Sequence, residues 1–438
     1  MTQIEFAKRG KITDQMHYVS EVEGMEPNEI REKGARGVVV IPSNPNHLSL
    51  KKFCGIGEGL SVKVNSNIGT SYDYVNLEEE IEKLEISEKY GADTLMDLST
   101  GGDLKSIMKT LIDKCSVPFG TVPIYEAEFL SAKKSSFLDM TEDDLFGVIE
   151  EHGKRGVDFI TVHCGVTMES LQRFKNTNRI TGIVSRGGGL LVAWMLANEK
   201  ENPLYKRFDD VLEIAREYDI TLSLGDGMRP GCIEDSTDRV QIQELITIGE
   251  LVDRARKAGV QTMVEGPGHI PLNEVFTNVQ IQKKLTKGAP FYILGMLPTD
   301  VAAGFDHIAG AIGGALAGSY GTDMLCYITP TEHLGLPTPE DVKRGVIAFK
   351  IAAHIADVAK GLKKARRRDK LMSEARYILD WEKQFELSLF PKEAKSIFKE
   401  RTSKTNACSM CGPYCPMNLV EKTLKKHSIN LEVSHGAV

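Results

Sequence analysis

From about residue 71 the chain repeats one unit: a charged helical stretch, then a short apolar run that closes on polar residues. "NLEEEIEKLEISEKYG" leads into "ADTLMDLS", "TEDDLFGVIEEHGKRG" into "VDFITVHCG", and "FDDVLEIAREYD" into "ITLSLGDGMRPG". "IQELITIGELVDRARKAG" leads into "VQTMVEGPGH", "NEVFTNVQIQKKLTKG" into "APFYILGML", and "AGFDHIAGAIGGALAGSYG" into "TDMLCYITPTEH". After the helical "GDLKSIMKTLIDKC", "VPFGTVPIY" reads as a further extended segment. Strands without polar alternation, each preceded by a helix, are parallel strands covered on both faces and joined by helical crossovers. About eight strand candidates predict an α/β fold closed as a (β/α)8 barrel rather than an open sheet.

This pattern divides the chain into a small N-terminal domain over 1–70, a catalytic barrel over 71–340 and a helical C-terminal region over 341–438. In the lead-in, "GARGVVVIPSNPNH" ends a β-branched run at a Pro/Asn turn and "LSVKVNSNIGT" reads as a second strand. "TPED" opens the C-terminal region, with Thr338 as N-cap and Pro339 at the first helical position. A net charge of -7 without a long Lys/Arg run argues against nucleic acid as partner, and "KKARRRDK" reads as a solvated helix face. No stretch approaches the roughly 18 apolar residues of a membrane span. The opening "MTQIEFAKRGKITDQ" has no apolar signal core, so a cytoplasmic setting is expected. Cys54, Cys115, Cys164, Cys232 and Cys326 occur singly, so no disulfide framework is expected.

Chemistry-bearing residues collect just after the strands: Asn67, Met96 with Asp97, Tyr125, His163, Asp226 with Arg229, Glu265 with His269, Tyr292, and Glu332 with His333. In a parallel barrel these positions share the C-terminal mouth, where active sites are built. Chains of any fold turn after strands, but histidines, tyrosines, a glutamate and an arginine are not generic turn residues. His269 and His333 could ligate a divalent metal, or could equally be polar core or catalytic histidines. "SRGGG" sets Ser185, Arg186 and Gly187 to Gly189 before a helix, where backbone N–H groups can meet an anion. With Arg229, this points to a phosphate or carboxylate on the substrate.

"NACSMCGPYCPMN" holds Cys408, Cys411 and Cys415. A structural zinc would need a fourth ligand, for which His427 or His435 could serve. A redox C-x-x-C pair would leave Cys415 without a role. Three close thiolates on a Gly/Pro loop also suit an iron–sulfur cubane with one iron left free.

Taken together, "VKVNSNIGTS", "MDLSTGGD", "GTVPIY", "DMTEDDLF", "SRGGG", "REYDITLSLGDGMRPGCI", "QIQELITIGELVDRARKAGVQTMVEGPGH", "GAPFYILG", "CYITPTEHLGLP" and "CSMCGP" resemble the phosphomethylpyrimidine synthase family of radical S-adenosylmethionine enzymes over nearly the whole chain. The resemblance implies a 4Fe-4S cluster on Cys408, Cys411 and Cys415, S-adenosylmethionine, and one divalent metal, zinc or iron, on His269 and His333. It implies a homodimer, an electron donor protein, and 5-aminoimidazole ribotide as substrate. Matched residue by residue, substrate contacts fall on Asn67, Met96, Tyr125, His163, Ser185, Arg186, Gly187, Asp226, Gly227, Met228, Arg229, Glu265 and Tyr292. His163, Asp226 and Glu265 are the proton-transfer candidates.

The chain also departs from the family. "CGPYC" has three residues between the second and third cysteines where the family has four, and a segment that resembles "GPxVTDIAPGYDHI" reads "GMLPTDVAAGFDHIAG". Met296, Pro298, Ala303 and Phe305 differ there, and Ser66 and Tyr72 differ near the first strand. Changes in a substrate shell with the cluster retained predict the same substrate and a different product. The first expectation is therefore a radical carbon–carbon lyase of the related 5-hydroxybenzimidazole synthase branch, in anaerobic cobalamin lower-ligand biosynthesis. The alternative is the pyrimidine synthase of thiamin biosynthesis, with the changes as drift. A more distant alternative is a barrel metallohydrolase with a structural zinc loop.

Overall fold

A computed structural model describes residues 1–401 and 403–427. The chain divides into two compact units, Met1–Lys360 and Gly361–Val438. In the first, eight parallel strands close into a barrel: Lys63–Ile68, Thr94–Asp97, Phe119–Thr121, Phe159–Val162, Thr221–Leu224, Thr262–Gly266, Phe291–Leu294 and Met324–Cys326. The last strand pairs with the first, Met324 opposite Lys63. The strands are short and almost wholly buried, as expected of a sheet with side chains inside and helices outside. The (β/α)8 expectation therefore holds.

Local chemistry explains where the elements start and stop. Thr141 with Asp144, and Thr338 with Asp341, form reciprocal capping boxes, and Pro339 occupies the first helical position as expected. Asp93, Asp158 and Asp323 each precede a strand and accept a backbone N–H from the neighbouring one: Val64 at 2.8 Å, Phe119 at 2.7 Å and Phe291 at 2.8 Å. Each carboxylate thus satisfies a donor that the short ladder leaves open.

Two details differ from the sequence reading. "LSVKVNSNIGT" supplies the first barrel strand, so the barrel starts at Lys63, inside the stretch assigned to the lead-in. "VPFGTVPIY" is extended only to Thr121, because Pro123 begins the helix Pro123–Lys134 and puts Tyr125 in its first turn. Ahead of the barrel, helices Gln3–Lys8, Asp14–Glu23 and Pro27–Arg36 close their own small core of Ala7, Met16, Val19, Ile30 and Leu60. Helix Pro339–Ala359 belongs to the first unit and packs on Leu77–Lys89 and Asp306–Tyr320.

The second unit is helical: Lys363–Tyr377, Trp381–Leu387, Pro391–Glu400 and Pro416–Lys426. Trp381 stacks on Phe398 with ring centroids 4.4 Å apart, and its indole N–H donates to Asn406 O at 2.8 Å, fixing the approach to the cysteine loop. Among the described residues, no helix is long and apolar enough to cross a membrane.

Candidate active site

The strand ends deliver one cluster to the mouth. Asn67 stands opposite Met96 in the ladder, and Glu265 opposite Tyr292. One layer deeper, Asn65 is fully buried. It accepts from Thr94 Oγ1 at 2.7 Å and donates to Asn67 Oδ1 at 2.7 Å and to the Tyr292 hydroxyl at 2.8 Å. Asn67 then donates to Cys326 Sγ at 3.0 Å, and Tyr292 to Met96 Sδ at 3.7 Å. Four mouth residues from four strands are thereby oriented through one interior amide.

A second group surrounds Arg229. Its guanidinium reaches Asp226 Oδ1 at 3.2 Å. Glu265 accepts from Thr161 at 2.6 Å and Ser223 at 3.0 Å. Glu244, on helix Arg239–Ala258, accepts the Met228 backbone N–H at 2.8 Å. Burial pushes all three carboxyls up: Asp226 to about 6 against the pull of Arg229, Glu265 to about 7 with help from the Asp226 charge, and Glu244 to about 8 for the same two reasons. Burial, then Arg229, pushes His163 down to about 3, so its imidazole is neutral. His163 Nδ1, Asp226 Oδ2 and Glu244 Oε1 are buried with no hydrogen-bond partner among the described residues. Carboxyls poised near neutrality beside a neutral imidazole can give and take protons.

The glycines of "SRGGG" serve packing as well as anion approach. Ser185 caps helix Arg186–Asn198 by accepting the Gly188 N–H at 3.1 Å. A Cβ on Gly187 would lie 2.3 Å from His163 Cε1, and one on Gly188 would lie 2.3 Å from Gly227 O. Arg186 lies over the Tyr125 ring at 5.4 Å. Arg179 braces the "DGMRPG" loop, donating to Met228 O at 2.6 Å and Arg229 O at 3.2 Å while gripping Asp238 at 2.7 Å.

A cavity of about 740 Å³ opens above these groups, its wall including Asn67, Tyr125, Arg186, Arg229, His269 and His333. His163, Asp226 and Glu265 are not part of that wall and are only 3%, 5% and 8% exposed. The His269 and His333 rings lie 5.3 Å apart, centroid to centroid, tilted by 50°. Each has its Nδ1 against a carboxylate, Asp300 at 2.8 Å and Asp306 at 3.3 Å. Two imidazoles with their Nε2 atoms uncommitted suit a divalent ion that keeps open positions.

The expected cluster ligands lie in the second unit, flanking the short helical turn Gly412–Tyr414. All three cysteines are free thiols, with Cys415 buried and Cys408 and Cys411 half-exposed. Three thiols on one loop suit a cubane with one open iron. Among the described residues no three His, Cys, Asp or Glu side chains converge as a ready-made metal-holding group. His427 follows helix Pro416–Lys426 and is exposed, and His435 lies outside the described residues.

The family model described as "Radical SAM ThiC family" matches residues 2–422. A phosphomethylpyrimidine synthase of Thermus thermophilus is 70% identical over 97% of this chain and 98% of its own length. One from a Thermoanaerobacter species is 56% identical over 97% and 98%. Among solved structures, a dihydropteroate synthase from Coxiella burnetii aligns with 70% of this chain and 96% of its own at 14% identity and a TM-score of 0.41, too loose a likeness to argue from. A radical SAM family implies a 4Fe-4S cluster, S-adenosylmethionine and a small-molecule substrate, and it displaces the metallohydrolase alternative. By a family match over nearly its whole length and close relatives at 70% and 56% identity, the chain belongs to the radical SAM ThiC family.

Proposed function

We propose that this chain is a phosphomethylpyrimidine synthase that rearranges 5-aminoimidazole ribotide in thiamin biosynthesis. The relatives carry that name, which supports the second of the two expected products over the first. The benzimidazole expectation rested on six altered positions, and none of them lines the cavity. Met296 is fully buried, with its carbonyl pressed against Gly313. Phe305 and Tyr72 are 65% and 86% exposed, and Ala303 is exposed as well. Ser66 turns outward, bonding Ser87 Oγ on helix Leu77–Lys89 at 2.7 Å. Pro298 lies on the same segment, off the cavity wall. Sequence proximity to the mouth is not contact with the substrate.

In this reading Arg186 and Arg229 hold the substrate phosphate, and Ser185, whose oxygen is already an acceptor, donates its O–H to it. Asn67, Met96, Tyr125, Tyr292, Gly187, Gly227 and Met228 shape the rest of the substrate site. Glu265 and Asp226 move protons, with Glu265 best matched to neutral pH, whereas His163, expected from the sequence to share that task, is held neutral and serves as a hydrogen-bonding group. His269 and His333 hold one divalent metal, zinc or iron, that orients substrate or cosubstrate. Cys408, Cys411 and Cys415 hold the cluster, which together with S-adenosylmethionine supplies one-electron chemistry when bound. A homodimer and an electron donor protein complete the proposal.

The test is an anaerobic turnover of the reconstituted protein with S-adenosylmethionine, reductant and 5-aminoimidazole ribotide, read by mass spectrometry. A hydroxymethylpyrimidine phosphate is expected; a hydroxybenzimidazole would overturn the product. Cys408→Ala should abolish S-adenosylmethionine cleavage, and undiminished cleavage would overturn the cluster assignment.

A further inference from the structure

We infer that Asp300 and Asp306 are positioning residues for the histidine pair, so that one segment, residues 295–306, sets both rings. The inference rests on the proposed metal at His269 and His333. Asp300 Oδ1 lies 2.8 Å from His269 Nδ1, while its Oδ2 accepts the Ile233 N–H at 2.9 Å. Asp306 Oδ2 lies 3.3 Å from His333 Nδ1, and Asp306 is 2% exposed at the start of helix Asp306–Tyr320. A carboxylate on Nδ1–H selects the tautomer with the lone pair on Nε2, fixes ring rotation and makes the ring a stronger ligand.

The backbone ties the same segment to the first histidine. Leu297 forms a parallel bridge with His269, the Ile270 N–H donates to Leu297 O at 3.1 Å, and the Leu297 N–H donates to Gly268 O. To fold back this way the chain turns sharply at Gly295 and Met296, with φ of 68° and 71°. A left-handed conformation is unfavourable for methionine, so the bridge must hold the turn in place. His333 is itself left-handed at φ 63° and half-exposed, so its ring depends on Asp306 for direction. The segment therefore reaches one histidine through a backbone ladder plus a carboxylate, and the other through a carboxylate alone.

The test is cobalt(II) titration of the full chain with Cys408, Cys411 and Cys415 changed to serine, followed by the visible ligand-field bands. The parent should bind one cobalt and His269→Ala should lose it; if the parent binds none, or His269→Ala binds equally, the metal reading falls and this inference with it. Given parental binding, Asp300→Asn and Asp306→Asn should each weaken affinity about 10- to 100-fold and shift the bands, with unchanged far-ultraviolet circular dichroism. Asp306→Asn should have the larger effect, because the segment reaches His333 through this carboxylate without a backbone ladder. Parental affinity and spectrum in both variants would overturn the inference while leaving the metal reading standing. Asp306→Glu, which restores the carboxylate, should recover part of the affinity, separating orientation from loss of fold.

Discussion

The two ends of the barrel use the same residue types to opposite effect. At the base, Asp158 has both oxygens in use: Oδ1 accepts Asn44 N–H at 2.8 Å, and Oδ2 takes Phe119 N–H at 2.7 Å and His47 Nδ1 at 2.6 Å. His47 in turn places its other nitrogen 3.2 Å from Cys115 O. At the mouth, His163 and Asp226 are as deeply buried, yet each keeps an atom without a partner. Buried polar groups are almost always satisfied, so unsatisfied ones in one cluster mark where something else must bind. For these His and Asp residues burial is alike, and the hydrogen bonding is what differs between base and mouth.

Substitution at the two ends should give reciprocal results, the mouth first because its effect is largest. Glu265→Gln keeps shape and removes the titrating group, so turnover with 5-aminoimidazole ribotide should fall by about 10²- to 10⁴-fold. Stability should not fall with it. The folded-state pKa of Glu265 is raised, so the stability tied to its neutral form is fully present below its unfolded value of about 4.3 and is lost as pH rises through about 7. The variant should thus become the more stable protein as pH climbs through that window, in thermal melts compared across pH. A variant that keeps its activity, or that melts earlier than wild type at neutral pH, would place Glu265 with the scaffold.

At the base the pattern should invert. Asp158→Asn puts an amide N–H₂ where the ladder offers only donors and leaves His47 without its counter-charge. A loss of about 3 kcal/mol is expected, as for breaking other buried pairs. Denaturant melts would measure it. Per folded molecule, kcat/KM should stay within about twofold, since Asp158 lies at the far end of the strands. A selective collapse of activity without loss of stability would break the division between the two ends.

How much of this is legible in the sequence depends on range. The repeat that predicts the barrel is local, so helix and strand can be read within each unit. The first strand reads as lead-in because its partner Met324 lies in the last strand, far along the chain. Residues beyond the strand ends stand out because position alone marks the mouth. Asn65 escapes a sequence reading because it sits inside a strand and acts through Asn67 and Tyr292. Arg179 and Glu244 escape it because their contacts with "DGMRPG" come from separate elements. The signal is faint but present: an arginine in "NTNRITG" and a glutamate on the inward face of an amphipathic helix. The relatives' name favours the second expected product over the first, and the altered positions that suggested the first are close to the mouth along the chain without lining the cavity.

Gly187→Ala should have an intermediate effect and tests whether the mouth is prearranged. The added Cβ would meet the His163 ring at 2.3 Å, so either the ring or helix Arg186–Asn198 must move. A rise in KM for 5-aminoimidazole ribotide of about tenfold, larger than the change in kcat, is expected from a displaced binding group. Gly189→Ala serves as the control, because its Cβ would meet nothing within 4 Å. Equal effects of the two would mean that the glycines matter as helix residues and not for the His163 contact.

The smallest effect should be a pH dependence at the base. Burial works against a charged His47, but the hydrogen bond and charge of Asp158 outweigh it and raise its pKa. The stability from that charged pair is then fully present below the unfolded value of about 6.5, and it fades as pH rises through the higher folded value. His47→Gln should therefore cost about 1 kcal/mol more in mildly acidic than in alkaline buffer. The check is the gap in Tm between wild type and variant on either side of that window. A gap that widens with pH would mean His47 is neutral at the base, held by its hydrogen bonds alone, and the two ends of the barrel would then differ in bonding but not in charge.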